Sequence, residues 1–507
     1  MATLKIETPL RRLQLETREG ETLLEALRRA GVAVTAPCGG NGTCGKCGVL
    51  WRTADGERTV PACGTRVETD GTVTLREQAG GAILQAGGRP TAARPGRQGL
   101  GAALDLGTTT VVLELLDLST GESLGVVGDW NAQGPYGADV ITRCQYCMEN
   151  ETGTATLQRV IRQQVGALLH RLGREEKDLA ELFVAGNTVM EHLYAGLSPA
   201  GIARAPFTPQ TLFDRGEEAE PGLAYAPCVA GYVGGDITAG LLAGGLQGKR
   251  ERALFLDIGT NGEMALCENG SFLCCAVASG PAFEGAGIAC GMPGVDGAVS
   301  RVRWTGEVPE LEVIGGGTPR GLCGSGLIDL LAELVRRRIV SAYGRLLGPE
   351  EAPPGYEKWL DEDENGNGVF YLTADRSVYL SAGDVRQLQL AKAAVAAGIA
   401  VLLQKAGRRA EELETLYLAG GFGSYLNPQN AAAIGMLPPV LAERTVCLGN
   451  ASLAGARQAL LDPDSREELR TIQRSCRYVE LSGDMDFNRE FPEQMLFYEE
   501  EDEEAWN

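Results

Sequence analysis

The chain has 507 residues, 44% of them hydrophobic and 22% charged, so it carries enough apolar material for several globular domains. Its formal net charge of −21 argues against a nucleic acid or an anionic membrane as partner, because both require a basic surface. The longest apolar helix-like run, residues 393–403, is too short to span a bilayer, and the N-terminus lacks the apolar core of a signal peptide. We therefore expect a cytoplasmic protein.

Four of the fourteen cysteines fall near the N-terminus: Cys38, Cys44, Cys47 and Cys63. The first three have the spacing C-x5-C-x2-C in a glycine-rich loop, close to the C-x4-C-x2-C spacing and distant fourth cysteine of plant-type [2Fe–2S] ferredoxins. Glycines give this loop the freedom to wrap around one compact centre. A four-cysteine zinc site is the alternative, although such sites usually contain a second C-x2-C pair, which is missing here.

The segments around this loop predict a small half-open sheet with one helix. Residues 4–8 and 12–17 alternate as a hairpin, residues 22–32 form an amphipathic helix, and a strand resumes at residue 47. Residues 1–79 resemble the α+β β-grasp ferredoxin family. The lone C-x2-C pair Cys144 and Cys147 is interpreted as two small core residues, with a redox pair or half a metal site as the alternative.

A flexible linker is predicted over residues 80–100, which are rich in Gly, Ala, Arg and Pro and show little periodicity. Such a chain has a root-mean-square reach of about 25 Å, so the cysteine-rich head could swing between sites. The alternative is a linker packed firmly on the remainder of the protein.

The remainder contains an internal repeat. Residues 103–117 resemble residues 254–268, each with an apolar strand, an aspartate, a Gly-Thr turn and a second strand. Residues 182–194 resemble residues 416–428 in the same way. This order predicts one duplicated α/β unit. Its two lobes are expected over residues 101–250 and 251–462, and a C-terminal extension with an acidic tail over residues 463–507.

The Gly-Thr turns offer backbone N–H groups and hydroxyls to phosphate, and the preceding aspartates suit Mg²⁺ held through water. The arrangement resembles the superfamily of actin, the heat-shock chaperone ATPases and the sugar kinases, whose fold is a duplicated ribonuclease H-like unit. The resemblance implies that Mg²⁺ and ATP bind between the lobes. The residues that match the two phosphate motifs and the adenosine motif are Asp105, Gly107, Thr108, Thr109, Thr110, Asp257, Gly259, Thr260, Asn261, Gly262, Gly420, Gly421 and Gly423.

Asp236 matches by position the polar residue that orients the attacking water in that superfamily, with Asp105 and Asp257 as the other catalytic candidates. A helix N-cap is the equally weighted alternative for Asp236. Residues 234–245 and 427–436 resemble the two hinge helices of the superfamily.

A [2Fe–2S] head joined to an actin-like ATPase resembles one family over nearly the whole chain, the reductive activators of corrinoid enzymes and proteins. Residues 185–193, 279–288 and 322–334 add to this resemblance. It implies ATP-dependent transfer of one low-potential electron to a Co(II) corrinoid, which regenerates Co(I). The implied partners are a corrinoid protein of a methyltransferase system and an upstream low-potential reductant, with a homodimer as the implied assembly.

The chain contains no D-x-H-x-x-G cobalamin motif, so the corrinoid should belong to the partner protein. The extra domain and the clustered C-terminal cysteines of some relatives are absent. Three alternatives stay open: an ATP-gated electron donor to a non-corrinoid enzyme, a small-molecule kinase with an electron-transfer domain, and a nucleotide-sensing module without turnover.

Overall fold

The computed structural model describes residues 2–7, 12–18, 20–30, 32, 34, 47–54, 56–74, 93–215, 220–306, 308–423 and 425–497. The predicted ligands Cys38 and Cys44 and the acidic tail beyond residue 497 lie outside these ranges, as do residues 80–92 of the predicted linker.

The N-terminal domain is a five-stranded sheet with one helix. Its elements are β1 (Thr3–Glu7), β2 (Arg12–Glu16), α1 (Leu23–Arg29), β3 (Gly48–Thr53), β4 (Gly56–Pro61) and β5 (Gly71–Thr74). The strand order is β2-β1-β5-β3-β4, with β1 parallel to β5 and antiparallel to β2. Helix α1 begins at a capping box formed by Thr22 and Glu25, which satisfies two otherwise unpaired N–H groups. The predicted hairpin, helix and strand are confirmed, and the topology is that of a β-grasp domain.

The segment after residue 92 is anchored rather than flexible. Arg94 forms an ion pair with Asp464, and its N–H donates to the Leu461 carbonyl. Arg97 pairs with Glu181 at 2.5 Å and also bonds the Leu460 carbonyl. The prediction of flexibility is therefore wrong for residues 93–99, because arginines there find carboxylate and carbonyl partners on the folded body.

Lobe I is built on a five-stranded sheet. Its elements are β6 (Leu100–Leu106), β7 (Thr110–Asp117), β8 (Ser123–Trp130), α2 (Val140–Glu149), α3 (Gly153–Arg171), β9 (Leu179–Gly186), α4 (Thr188–Ala195), β10 (Leu223–Tyr225) and α5 (Gly235–Ala243). The strand order is β10-β9-β6-β7-β8. Strands β6, β7 and β8 form an antiparallel meander, whereas β9 runs parallel to β6.

Lobe II repeats this plan with two small sheets inserted. Its elements are β11 (Ala253–Ile258), β12 (Gly262–Glu268), β13 (Ser271–Val277), β14 (Ala298–Arg303), β15 (Glu310–Val313), β16 (Gly321–Leu322), α6 (Gly324–Arg336), β17 (Leu360–Glu362), β18 (Gly368–Tyr371), β19 (Tyr379–Ser381), α7 (Ala382–Ala406), β20 (Thr415–Ala419), α8 (Gly420–Gly423), α9 (Pro428–Ala433) and β21 (Thr445–Gly449). The main sheet has the order β21-β20-β11-β12-β13, which matches lobe I strand for strand. The predicted duplication is confirmed.

The C-terminal elements are part of the lobes rather than an extension. They are α10 (Ala451–Leu461), α11 (Asp464–Ser475), β22 (Cys476–Tyr478) and α12 (Met485–Glu493). Strand β22 adds to the edge of the lobe II sheet beside β13, and α12 packs on α7. Helix α10 packs on β6 and β9 of lobe I, so the predicted boundary of lobe II at residue 462 is wrong for this helix. Its small residues allow the close approach that decides this packing.

Helices α5 and α10 cross in the layer between the two sheets. A Cβ atom at Gly455 of α10 would lie 2.0 Å from the carbonyl oxygen of Ala239 in α5, so the two backbones touch. One apolar core contains both helices together with residues from both sheets, such as Phe183 and Phe255. Residues 234–245 therefore contain a helix between the two sheets, the position expected for the first hinge helix. The hinge prediction is wrong for residues 427–436, because α9 packs on α6 instead.

Among the described residues, one helix is long and apolar enough to cross a bilayer, the α7 helix. Its most apolar stretch is 78% buried inside the protein. Helix α7 is accordingly the core helix of lobe II, packed between the main sheet and α12.

Candidate functional site

The two predicted phosphate turns face each other across the cleft between the lobes. The first turn joins β6 to β7 through Gly107, Thr108 and Thr109, and the second joins β11 to β12 through Gly259, Thr260 and Asn261. Thr110 and Gly262 begin the second strand of each hairpin. The Oγ1 atoms of Thr109 and Thr260 lie 3.1 Å apart. The fold thus brings together two hydroxyls that are distant in sequence.

Three side chains that sequence reasoning missed hold the first turn in place. Asn131 Nδ2 donates to the Gly107 carbonyl at 2.8 Å, and Asn187 Nδ2 donates to Thr108 Oγ1 at 2.9 Å. Arg143, which is 1% exposed, donates to the Thr108 carbonyl at 2.6 Å. Because this guanidinium is committed to backbone carbonyls, it rigidifies the turn. The internal repeat could have pointed to Asn187, because this residue aligns with Gly421 in the second unit.

Asp105 and Asp257 are the penultimate residues of the central strands β6 and β11, and Asp236 lies in the first turn of α5. Burial and repulsion from the other two aspartates raise the pKa of Asp236 to about 8. Burial and the charge of Asp105 raise the pKa of Asp257 to about 7. Burial also raises the pKa of Asp105. The structure therefore assembles the three aspartates that the sequence singled out.

Two more polar residues join this acidic cluster. Glu263 on β12 lies opposite Asp257. Its pKa is raised well above the ordinary value, mainly by burial and also by repulsion from Asp236 and Asp257. Asn450, the N-cap of α10, donates its Nδ2 to Asp105 Oδ2 at 2.8 Å. Asn450 lies at the start of α10 and Asp236 lies in the first turn of α5, so the duplication could have revealed it.

Asp236 does not cap helix α5. The N-cap is Gly234, and Asp236 Oδ1 accepts only the neighbouring Ile237 N–H at 2.9 Å among the hydrogen bonds found in the described structure. The N-cap alternative is therefore wrong, and the Asp236 carboxylate is left facing Asp257 and Asp105.

The adenosine-type turn approaches the acidic cluster closely. Gly420 has φ +86°, and a Cβ atom there would lie 2.4 Å from Asp257 Oδ1. A side chain at this position would both strain the backbone and collide with the carboxylate. The exposed Gly421 and the buried Gly423 complete a single helical turn, in which Phe422 stacks on Phe283 with ring centroids 5.0 Å apart.

A magnesium ion suits this donor set. No group of three His, Cys, Asp or Glu side chains within the described ranges is close enough to bind a metal directly. None of the ion pairs between described residues involves Asp105, Asp236 or Asp257, so their charge is not offset by a protein cation. Mg²⁺ usually keeps several waters and binds through one or two carboxylates together with phosphate oxygens, which fits such a cluster.

Two of the four predicted cluster ligands, Cys47 and Cys63, lie in the described part of the chain, and their side chains are close together. The Sγ atoms of Cys47 and Cys63 lie 3.2 Å apart, too far for a disulfide bond of about 2.05 Å. Two thiolates on one tetrahedral metal ion stand about 3.8 Å apart when the metal–sulfur bonds are about 2.3 Å. The Cys63 N–H also points at Cys47 Sγ, at 3.5 Å, which stabilises a thiolate. The pair therefore fits a shared iron.

The remaining candidates have structural roles. Burial raises the pKa of both Cys144 and Cys147, which disfavours the reactive thiolate form. His192 is fully buried, with Nδ1 against the Thr188 carbonyl at 2.7 Å and Nε2 accepting the Gln210 N–H at 3.2 Å. Both ring nitrogens are thus committed to backbone groups, and burial lowers the pKa of this imidazole.

Comparison with known families agrees with this geometry in all three parts of the chain. Residues 9–68 match the 2Fe-2S iron–sulfur cluster binding domain, and residues 100–249 match the RACo middle region. Residues 251–506 match the C-terminal domain of RACo, described as the ASKHA domain. The chain belongs to the RACo family. As a RACo-family protein it has a [2Fe–2S] domain followed by an actin-like ATPase domain that uses ATP and Mg²⁺.

Individual relatives of this RACo-family chain carry related descriptions. It is 31% identical over 412 residues to the "Corrinoid activation enzyme RamQ" of Eubacterium limosum, covering 76% of this chain and 68% of the relative. It is 24% identical over 409 residues to the "[Co(II) methylated amine-specific corrinoid protein] reductase" of Methanosarcina barkeri, covering 73% and 71%. A solved "Reductive activator for corrinoid,iron-sulfur protein" superposes with a TM-score of 0.70 at 30% identity, covering 97% of this chain and 98% of that structure.

Proposed function

We propose that this protein reductively activates a partner corrinoid protein at the expense of ATP, returning the inactive Co(II) corrinoid to Co(I). The observation that carries the proposal is the union, in one chain, of a paired-cysteine ferredoxin domain and a cleft in which two phosphate turns face three aspartates. Relatives of this chain are described as activators or reductases of corrinoid proteins.

The ferredoxin domain supplies the electron. When bound, a plant-type [2Fe–2S] cluster provides one electron near −400 mV. Cys38, Cys44, Cys47 and Cys63 are the proposed ligands. Buried Cys47 and the N–H of Cys63 hold the described half of the site. Each further 59 mV uphill lowers a one-electron equilibrium about tenfold, so an acceptor of lower potential needs a second source of free energy.

The cleft binds the nucleotide in this proposal. The hydroxyls and N–H groups of residues 107–110 and 259–262 hold the phosphates, and residues 420–423 face the adenosine. Asp105 and Asp257 would hold Mg²⁺, which when bound neutralises phosphate charge. Asn131, Asn187 and Arg143 keep the first turn in the receptive geometry before nucleotide arrives.

Asp236 is proposed to orient and deprotonate the attacking water. It stands in the first turn of α5 and faces both strand-end aspartates, and its pKa of about 8 lies close to neutral pH. A base with a pKa near the working pH combines a useful ionised fraction with a strong tendency to accept the proton.

Lobe closure is the route by which ATP acts on the partner. Helices α5 and α10 touch between the lobes, and the first turn of α5 and the N-cap of α10 each supply a residue of the acidic cluster. Nucleotide state therefore alters the relative position of the lobes and the fit of a partner docked on them. A ligand shifts such an equilibrium only by its differential affinity for the two states.

The test mixes the anaerobic holoprotein with a candidate Co(II) corrinoid protein, a low-potential reductant and Mg-ATP, and follows the Co(I) absorption. We expect reduction to require ATP, and the partner to stimulate ATP hydrolysis. Equal rates without ATP would overturn the proposal, as would phosphorylation of a sugar. We further propose that the partner belongs to a methyltransferase system, and that the protein is a cytoplasmic homodimer fed by a low-potential reductant.

A further inference from the structure

A partly buried carboxylate, that of Glu284, lies between the two phosphate turns. Thr260 Oγ1 lies 3.1 Å from both Oε1 and Oε2 of Glu284, and Thr109 Oγ1 lies 3.2 Å from Oε2. Together with the 3.1 Å contact between the hydroxyls, these contacts form a closed triangle. Thr109 belongs to lobe I, whereas Thr260 and Glu284 belong to lobe II, so the triangle joins the lobes.

The position of this carboxylate is unexpected on electrostatic grounds. Glu284 adds a further acid to a cleft that already holds Asp105, Asp236, Asp257 and Glu263. A carboxylate accepts hydrogen bonds from the same donors as a phosphate oxygen and carries charge of the same sign. The carboxylate of Glu284 therefore occupies donors that a nucleotide phosphate would need.

The triangle contains fewer hydroxyl protons than pairs of groups. When both threonines donate to an ionised Glu284, which also accepts a backbone hydrogen bond from Thr260, no proton is left between the two hydroxyl oxygens. A protonated Glu284 would supply the third proton. Consistently, burial raises the pKa of Glu284, although the hydrogen bonds from Thr260 and Thr109 oppose this.

The segment that carries Glu284 is flanked by two glycines with positive φ. A short 3-10 helix, Pro281–Glu284, lies between Gly280 at φ +73° and Gly285 at φ +78°. Phe283 in the same helix stacks on Phe422 of the adenosine turn, with ring planes 5° apart. Movement of Glu284 away from the threonines therefore displaces a ring that touches the adenosine end of the cleft.

We propose that Glu284 competes with the terminal phosphates of the nucleotide for the hydroxyls of Thr109 and Thr260. It closes the nucleotide-free cleft and determines how strongly the protein distinguishes a nucleoside triphosphate from a monophosphate. Entry of the terminal phosphates breaks the triangle, and the paired rings of Phe283 and Phe422 carry the displacement to residues 420–423. This inference rests on the nucleotide-binding part of the proposed function.

The test compares Glu284→Ala and the isosteric Glu284→Gln with the wild-type holoprotein. Isothermal titration calorimetry gives the Kd of each for Mg-ATP and for AMP. We expect the alanine variant to bind ATP about tenfold more tightly and the glutamine variant to fall between, with the Kd for AMP unchanged within twofold. Unchanged or weaker ATP binding in both variants would overturn the inference, as would equal tightening for AMP.

Hydrogen–deuterium exchange of the nucleotide-free chain is the second readout. Loss of the triangle should speed exchange at residues 107–110 and 259–262 in the alanine variant, and unchanged exchange would contradict the closed cleft. Glu364→Gln removes one exposed carboxylate and serves as the matched control, with wild-type values expected throughout. If the wild-type protein does not bind ATP, the proposed function itself is refuted. If the wild type binds ATP but the Glu284 variants do not bind it more tightly, only the inference about Glu284 is refuted.

Discussion

Removing the charge of Asp257 should stabilise the nucleotide-free protein while it abolishes ATP hydrolysis. Asp257 lies against Glu263, and its carboxylate is 2.4 Å from where a Cβ at Gly420 would be, so it is crowded by an acid and by backbone. Burial and the charge of Asp105 raise its pKa to about 7. The ionised form therefore destabilises the fold, and Asp257→Asn relieves that cost.

The magnitude follows from the raised pKa. A carboxyl whose pKa is higher in the folded state contributes stability that is complete below its unfolded pKa, near 4, and is lost as pH rises towards 7. Each pKa unit corresponds to about 1.4 kcal/mol, so this group alone costs about 3 kcal/mol between pH 5 and pH 8. The two lobes together contain roughly 400 residues, each with an unfolding entropy of about 2.1 cal/mol/K. A free-energy change of about 3 kcal/mol therefore shifts the Tm by about 4 °C.

The assay is thermal unfolding by circular dichroism, without nucleotide and with divalent cations chelated, at pH 5 and at pH 8. The Tm advantage of Asp257→Asn over wild type should be about 4 °C larger at pH 8 than at pH 5. Added Mg²⁺ should narrow the gap at pH 8, because the cation stabilises the ionised carboxylate of the wild type. Glu364→Gln should show no pH-dependent difference. An equal Tm difference at both pH values, or a less stable asparagine variant at pH 8, would refute the reasoning.

Three further predictions concern the cluster, the water-orienting residue and the helix crossing. Cys63→Ser should lose the iron content and the visible absorption of the cluster, whereas Cys144→Ser should retain both; a wild-type spectrum in the first variant would remove the ligand assignment. Asp236→Asn should lower the kcat for ATP hydrolysis about 10²- to 10⁴-fold with little change in the Kd for ATP, and comparable losses in both would contradict a role in orienting water. Gly455→Ala places a methyl group against the Ala239 carbonyl and should destabilise the protein by about 1–3 kcal/mol in urea unfolding, so wild-type stability would show that α5 and α10 do not touch in solution.

Local chemistry made the domain plan predictable from the sequence. A C-x2-C loop, a Gly-Thr turn after an apolar strand and an alternating hairpin each act within a few residues, so they predict the β-grasp head and the duplicated unit without knowledge of distant contacts. The duplication also fixed which residues would face the cleft, because the same strand ends recur in both lobes. Thr109, Thr260, Asp105 and Asp257 could be named in advance for this reason, whereas Asp236 was named from the resemblance to the actin-like superfamily.

Neighbours from distant parts of the chain were decided only by tertiary packing. Which helix crosses α5 depends on Gly455 fitting against Ala239, and the motif after the adenosine turn pointed instead to residues 427–436. The anchoring of residues 93–99 depends on carboxylates of residues 181 and 464. Likewise, Glu284 of lobe II reaches Thr109 in the first phosphate turn only because the lobes lie against each other. Sequence periodicity fixes which face of an element is buried, but the partner of that face is chosen by shape and charge complementarity across the whole fold.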